Sequence, residues 1–317
     1  MATVVFIHGI SNMPKPSTLL SLWENSFATD TTESAGLEVA NYGASSELVY
    51  WSDVLYPDYA KTRSGAESAN TSLEMSNAIR GDTASLEEVS EEWVRRISEA
   101  LEVDSDDLRS STAPSESDVD GASISAAAAE AIPLPWILKK PLMRTFVRDA
   151  HHYLFNVKHS PRKGTGYHVR DEIRNRFLAK LEDASKGGPV IVVAHSLGTV
   201  IAYDCLKNVP ECPKIQSLIT VGSPLGMTEM QDKLDPGYSR DDGFAREKIA
   251  SAWYNVYDPV DVVSRADPKL SNDYLEHGKR RIEDIRQSNG GAWTHGMLKY
   301  SKQAGLRETI RAELMKL

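Results

Sequence analysis

The sequence predicts a mixed α/β fold in which a mostly parallel β-sheet is flanked by helices. Residues 190–193 (VIVV) are all β-branched, which is typical of a strand buried on both faces of a sheet. From residue 197 onward the apolar side chains recur at helical spacing, so a helix follows that strand directly. Strand-like and helix-like segments alternate along most of the 317 residues, which favours parallel strands joined by helices.

The chain order of the elements follows from the same patterns. A first strand is predicted at residues 3–7, which are β-branched or aromatic and end at His8-Gly9. A helix follows, because Leu19, Trp23 and Phe27 share one helical face. Further strands are predicted within residues 47–51, 189–194, 215–224, 250–261 and 281–288, and further helices within 168–188, 196–206 and 295–317.

Residues 57–165 interrupt this alternation and are interpreted as an inserted cap or lid on a single domain that spans residues 1–317. The insertion contains a helical pattern at residues 85–101 and an acidic stretch, at about 102–130, whose composition predicts partial disorder. Residues 133–157 are basic and apolar together and predict an amphipathic helix that packs on the core or contacts a lipid surface. The apolar stripe of that helix consists of Leu142, Phe146, Val147, Ala150 and Leu154.

The net charge of −9 comes from one part of the chain. Residues 82–120 hold 13 acidic and 3 basic residues, so the remainder, with 33 basic and 32 acidic residues, is close to neutral. A neutral main fold does not indicate a nucleic-acid-binding protein. The two cysteines lack the partners of a metal site and the density of a disulfide framework, so we expect no metal and no cofactor. Without a signal-peptide pattern or a long apolar run, the expected location is the cytoplasm.

A serine lies where the predicted strand must turn into the predicted helix, in Ala194-His195-Ser196-Leu197-Gly198. Such a turn is strained and exposes its side chain above the carboxyl edge of the sheet. In this strand–turn–helix the chain resembles the α/β-hydrolase family, over roughly residues 2–56 and 165–317. The usual pattern is Gly-x-Ser-x-Gly, and Ala194 departs from it by one methyl group. The resemblance implies an α/β-hydrolase fold, reduced at the N-terminus, with Ser196 as its nucleophile.

The resemblance also implies an acid and a histidine after the serine, in that order. Asp258 and Asp261 both follow the strand that contains WYNVY, and Asp261 is favoured because it precedes Val262-Val263 as in members of the family. His295 follows the last predicted strand and is expected to be the base. His277 lies before that strand, and His195 is expected to point away from the turn.

The segment FIHGIS resembles the oxyanion loop of the family, in which backbone N–H groups stabilise the developing charge. The resemblance places those donors at Ile10 and Leu197, with Gly9 and Gly198 permitting close approach and His8 orienting the loop. Trp51 and Asp53 end the second strand on the same edge and are expected near the site.

The expected function is hydrolysis of a small-molecule or lipid carboxylic ester through an acyl-serine intermediate, without a cofactor. Thioester cleavage and acyl transfer would use the same residues and stay open. A binding or signalling protein of the same fold is a third hypothesis, although it would not need all three catalytic side chains.

Overall fold

The computed structural model describes residues 1–60, 85–110, 136–234, 236–291 and 293–317. The centre of the molecule is a six-stranded sheet in the order β2-β1-β5-β6-β7-β8, and each neighbouring pair is parallel. Its strands are β1 (Ala2–Ile7), β2 (Ala44–Val49), β5 (Val190–His195), β6 (Ile215–Val221), β7 (Ile249–Tyr257) and β8 (Ile282–Arg286). The expected α/β class and mostly parallel sheet are therefore confirmed.

Helices cover both faces of the sheet, because the central strands are apolar on both sides. In β5, Val190 and Val192 belong to one core cluster, whereas Ile191 and Val193 belong to the other. Helices that pack into the first cluster are α3 (Glu91–Ala100), α5 (Trp136–Leu154), α6 (Val169–Ser185) and α7 (Leu197–Asn208). Helices that pack into the second are α1 (Pro16–Ala28), α9 (Met297–Tyr300) and α10 (Ala304–Leu314).

Shorter elements join these layers. A 3₁₀ helix at Val39–Tyr42 precedes β2, α2 (Ser52–Leu55) follows it, and α8 (Thr228–Gln231) follows β6. The strands β3 (Lys158–His159) and β4 (Tyr167–His168) form an antiparallel pair just before α6. Within the described ranges, no helix has both the length and the apolar character needed to cross a bilayer.

The predicted helical pattern at residues 85–101 is buried, but the helix begins later than expected. Its apolar positions are all buried, yet α3 starts at Glu91 because the Ser90 Oγ accepts the Trp93 N–H at 3.3 Å and caps the helix there. The acidic stretch expected to be partly disordered contains the helix α4 (Ser105–Arg109), with Leu108 buried. Residues 111–130 of this stretch lie outside the described residues.

The helix predicted within residues 133–157 is α5, and its apolar stripe is buried in the first core cluster. Residues of the acidic segment pair with it: Lys140 Nζ lies 2.9 Å from Asp107 Oδ1, and Arg144 donates to the Leu108 carbonyl at 2.6 Å. This packing attaches residues 85–110 to the main fold through α5. Contact of α5 with a lipid surface stays a prediction, and it would require the buried stripe to turn outward.

The strand order also shows where a ligand is expected. The chain runs from β1 outward to β2 on one side and continues with β5 on the other side of β1. In open parallel sheets the crevice for a ligand lies outside the carboxyl ends of the strands at such a reversal. Here that point is flanked by the segment after Ile7 and the segment after His195.

Candidate active site

Ser196 occupies the turn between β5 and α7 in a strained backbone conformation. Its φ of 54° and ψ of −130° lie in a region that non-glycine residues rarely adopt. The Ser196 N–H donates to the Val221 carbonyl at 2.9 Å, which ties the turn to the end of β6. Gly198 is needed for close packing, because a Cβ there would lie 2.6 Å from the His8 carbonyl oxygen. At residue 194, in contrast, the strand has room for a methyl group, since Ala194 is fully buried there.

Three side chains form a continuous hydrogen-bond chain at this turn. Ser196 Oγ lies 2.8 Å from His295 Nε2, and His295 Nδ1 lies 2.8 Å from both carboxylate oxygens of Asp261. The carboxylate can only accept, so Nδ1 carries the proton and Nε2 presents its lone pair to the serine hydroxyl. This arrangement has the geometry of a nucleophile, a base and an orienting acid.

The two candidate acids have different partners. Besides the imidazole, Asp261 accepts the Val263 N–H at 2.9 Å and the Tyr300 O–H at 2.7 Å. Asp258 accepts two backbone N–H groups, of Val260 at 3.0 Å and Asn289 at 2.7 Å, one on each oxygen. Asp258 therefore shapes the loops around the site, whereas Asp261 contacts the histidine.

The other two candidate histidines have different partners, and His195, which was expected to point away from the turn, instead lies with its ring 4.9 Å from the His295 ring. His277 is exposed, and its Nδ1 is 3.9 Å from Asp242 Oδ1. His195 is buried and donates from Nε2 to the His295 carbonyl at 2.6 Å, so it supports the backbone of the catalytic histidine candidate. Desolvation by burial lowers the pKa of His195 to about 3, so its ring is neutral at physiological pH.

Two residues that the sequence did not indicate hold the acid in place. Tyr300, at the end of α9, donates to Asp261 and accepts the Asp258 N–H at 3.0 Å, which links the two carboxylate residues. Gly222, just after β6, has a φ of +56°, and a Cβ there would lie 2.9 Å from Asp261 Oδ2. Neither residue lies in a motif, since both act through contacts between distant segments.

Burial and hydrogen bonding oppose each other at Asp261. Burial alone would raise its pKa, but the His295 ring, the Tyr300 hydroxyl and the Val263 N–H together outweigh it and lower the pKa. The carboxylate is therefore charged at neutral pH. It can stabilise the imidazolium that forms when His295 takes the serine proton.

The loop after β1 contacts the nucleophile. A Cβ at Gly9 would lie 2.6 Å from Ser196 Cβ and 3.1 Å from Oγ, so only glycine fits between loop and serine. Ile10 follows Gly9, and Leu197 provides the first N–H of α7, which has no partner within its own helix. Both N–H groups stay the predicted oxyanion donors.

A buried carboxylate of α5 holds this loop. Ser11 has a φ of 87°, and its N–H donates to Asp149 Oδ2, on α5, at 3.0 Å. Asp149 also accepts the Tyr56 O–H at 3.1 Å and is paired with Arg148 at 2.7 Å. The helix α5 is thus bonded to the residue that follows the predicted oxyanion donor Ile10. Asp149 lies in no motif of the sequence that indicates this contact.

His8 links the loop after β1 to the segment after β2. Its Nδ1 donates to the Gly9 carbonyl at 2.8 Å, and its Nε2 accepts the Trp51 N–H at 3.0 Å. Desolvation by burial lowers its pKa to about 4, which keeps the ring neutral. Trp51 stacks on His8 and donates from Nε1 to its carbonyl at 2.9 Å. Asp53 forms an ion pair with Arg176.

The side chains of Ser196, His295 and Asp261 are all buried. The exposed fraction is 0% for Ser196 and Asp261 and 1% for His295. A dry surrounding strengthens the hydrogen bonds and charge interactions of the site.

Comparisons with known proteins do not assign a family. No family model matches the chain, and no curated protein matches it. Among solved structures it is similar to an uncharacterized protein from Pseudomonas aeruginosa, with 10% sequence identity and a TM-score of 0.33. That similarity covers 99% of this chain and 46% of the other, so this chain spans about half the length of that protein.

Proposed function

We propose that this protein is a serine hydrolase that cleaves a carboxylic ester through Ser196, His295 and Asp261. The observation that carries the proposal is the chain of 2.8 Å contacts from Ser196 Oγ through His295 to Asp261, mounted on a strained strand-to-helix turn. Such an assembly activates a hydroxyl that is otherwise a poor nucleophile. The resemblance of residues 194–198 to the nucleophile turn of α/β-hydrolases supports the same function.

The reaction follows from the positions of the protons. Ser196 Oγ attacks the ester carbonyl carbon while its proton passes to His295 Nε2, and the carbonyl oxygen becomes an oxyanion facing the N–H groups of Ile10 and Leu197. Collapse of this intermediate breaks the bond to the alcohol oxygen, which takes the proton from Nε2. A water molecule, deprotonated by the same nitrogen, then releases the acid and restores the serine.

The insertion is the cap of this site in our proposal. It supplies Asp149, which holds the loop beside the predicted oxyanion donor, and it packs on the sheet face that carries α7. Because the triad is buried, the acyl chain has to enter past this cap. We therefore assign the selection among esters, including lipid esters, to the insertion.

Covalent labelling tests the nucleophile. We expect the wild-type protein to react with a fluorophosphonate probe and to hydrolyse p-nitrophenyl esters, and Ser196→Ala to lose both, by about a million-fold in turnover. Ser217→Ala is the matched control, because Ser217 is also buried but its Oγ has no hydrogen-bond partner in the described part of the chain. Undiminished hydrolysis by Ser196→Ala would exclude the mechanism. A panel of esters of increasing acyl length then defines the preferred acyl group, and matched acyl thioesters show which leaving group is accepted.

A further inference from the structure

Three side chains of the insertion converge outside the triad. Glu88 precedes α3, His152 lies on α5 and His159 lies on β3, and one candidate ligand atom from each is within 4.8 Å of the other two. Glu88 is 64 residues before His152, so this proximity results from the fold and not from a local motif. No metal-binding spacing is present in the sequence, which therefore predicts no metal site.

Both histidines are held in the tautomer that a metal ligand requires. His152 Nδ1 lies 2.9 Å from the Arg148 carbonyl, and His159 Nε2 lies 3.2 Å from the Leu55 carbonyl. A carbonyl oxygen only accepts, so these nitrogens carry the protons, and the other nitrogen of each ring keeps a lone pair. Histidines that bind metals in proteins almost always donate their second ring nitrogen in this way.

The third side chain, Glu88, carries a negative charge and is exposed enough to change its conformation. Glu88 Oε2 lies 3.9 Å from His152 Nε2, beyond hydrogen-bond distance, and its side chain is 75% exposed. The His152 side chain, in contrast, is 3% exposed and fixed on α5. Ligands about 2.1 Å from one tetrahedral ion are about 3.4 Å apart, so a small movement of the glutamate would close the site.

The donor set selects the class of metal. Calcium and magnesium prefer oxygen ligands, whereas two imidazoles and one carboxylate suit zinc and its neighbours in the first transition row. We propose that Glu88, His152 and His159 bind a zinc-class divalent cation, with water at the fourth position. The ion joins the segment before α3 to α5 and, through His159 and the Leu55 carbonyl, to the end of α2. It thereby fastens the insertion to the main fold.

Metal titration of the full-length protein, freed of any affinity tag and treated with chelator, tests this inference independently of hydrolysis. We expect one equivalent of Co²⁺ to bind with the visible absorption of a four-coordinate nitrogen–oxygen site, and Zn²⁺ to displace it. Zn²⁺ at 100 times its Kd is expected to raise the Tm, because it binds the folded chain. Glu88→Gln and His159→Gln are each expected to weaken binding at least about 10-fold and to abolish the Tm shift.

Glu87→Gln and His168→Gln are the matched controls, since both residues are exposed, lie close by in the sequence and are outside the cluster. They are expected to bind like the wild type. Because Glu88 is exposed, its variant should fold, and fluorophosphonate labelling of Ser196 together with circular dichroism verifies this. Absence of Co²⁺ and Zn²⁺ binding by the wild type overturns the proposal. Unchanged affinity in both Glu88→Gln and His159→Gln overturns it equally.

Discussion

Replacing each of the two neighbouring aspartates by asparagine separates catalysis from loop structure. Around Asp261 the neighbours are hydrogen-bond donors: the His295 Nδ1–H, the Tyr300 O–H and the Val263 N–H. An asparagine there must turn its NH₂ group toward at least one of them. If it faces the imidazole, His295 is driven to the tautomer with the proton on Nε2, which can no longer accept the serine proton.

The expected magnitudes follow from these contacts. The wrong tautomer costs a serine hydrolase about 10⁴-fold in kcat, or about 5.4 kcal/mol of transition-state stabilisation at 1.36 kcal/mol per factor of ten. Asp258 makes two bonds to backbone N–H groups, and asparagine can accept only one of them. Asp258→Asn therefore leaves one buried N–H unpaired, which costs about 1–3 kcal/mol of folding free energy, with kcat reduced less than about 10-fold.

The assay compares both variants in the same way. Turnover of a p-nitrophenyl ester and the rate of fluorophosphonate labelling report on catalysis, and urea unfolding reports on stability. We expect Asp261→Asn to remain folded with almost no turnover, and Asp258→Asn to unfold at lower urea concentration with most of its turnover retained. If Asp258→Asn, shown to be folded, loses more turnover than Asp261→Asn, the assignment of the acid is reversed and the reasoning from donors is refuted.

Two further predictions concern groups buried near the triad. Asp149→Asn is expected to lower kcat about 10-fold or more at unchanged KM, because the Ser11 N–H loses a charged acceptor. The control is Asp204→Asn, which also removes a buried carboxylate bonded to a tyrosine and an arginine and is expected to leave kcat unchanged. Equal losses of kcat in the two variants would refute the role of Asp149. The pKa of buried His195, about 3, is below the unfolded value of 6.5, so its contribution to stability is complete above pH 6.5 and declines as the pH falls toward 3. From this group we expect the unfolding free energy to be about 2 kcal/mol lower at pH 5 than at pH 7, and to depend less on pH in His195→Gln. An identical pH dependence of the unfolding free energy in both proteins would contradict the lowered pKa of His195.

Local sequence patterns were sufficient to predict the α/β class and the strand-to-helix turn that holds Ser196. The β-branched run before Ser196 and the helical spacing after it report on adjacent residues, and the structure contains β5 and α7 there. The start of α3 was misjudged because the apolar spacing continues through Leu86 and Val89, which are buried in a turn before the helix. Burial and helix formation thus give the same periodic signal over short distances.

Contacts between distant segments that carry no family resemblance were beyond sequence reasoning. Tyr300 reaches Asp261 across 39 residues, and Ser11 reaches Asp149 across 138. Each interaction joins two single positions far apart in the chain, so neither creates a pattern along the sequence. The cluster of Glu88, His152 and His159 was missed for the same reason, because its members are brought together only by the packing of α5.

The helix α5 connects the two sites that are proposed for this protein. Asp149 and His152 are three residues apart, which places them side by side on the surface of one helix. Asp149 holds the loop beside the predicted oxyanion donor, and His152 is the buried member of the metal cluster. An ion that fixes His152 against Glu88 and His159 would restrict the same helical turn that carries Asp149. The insertion would then contribute to the chemistry by keeping an N–H group aligned, in addition to selecting the ester that enters.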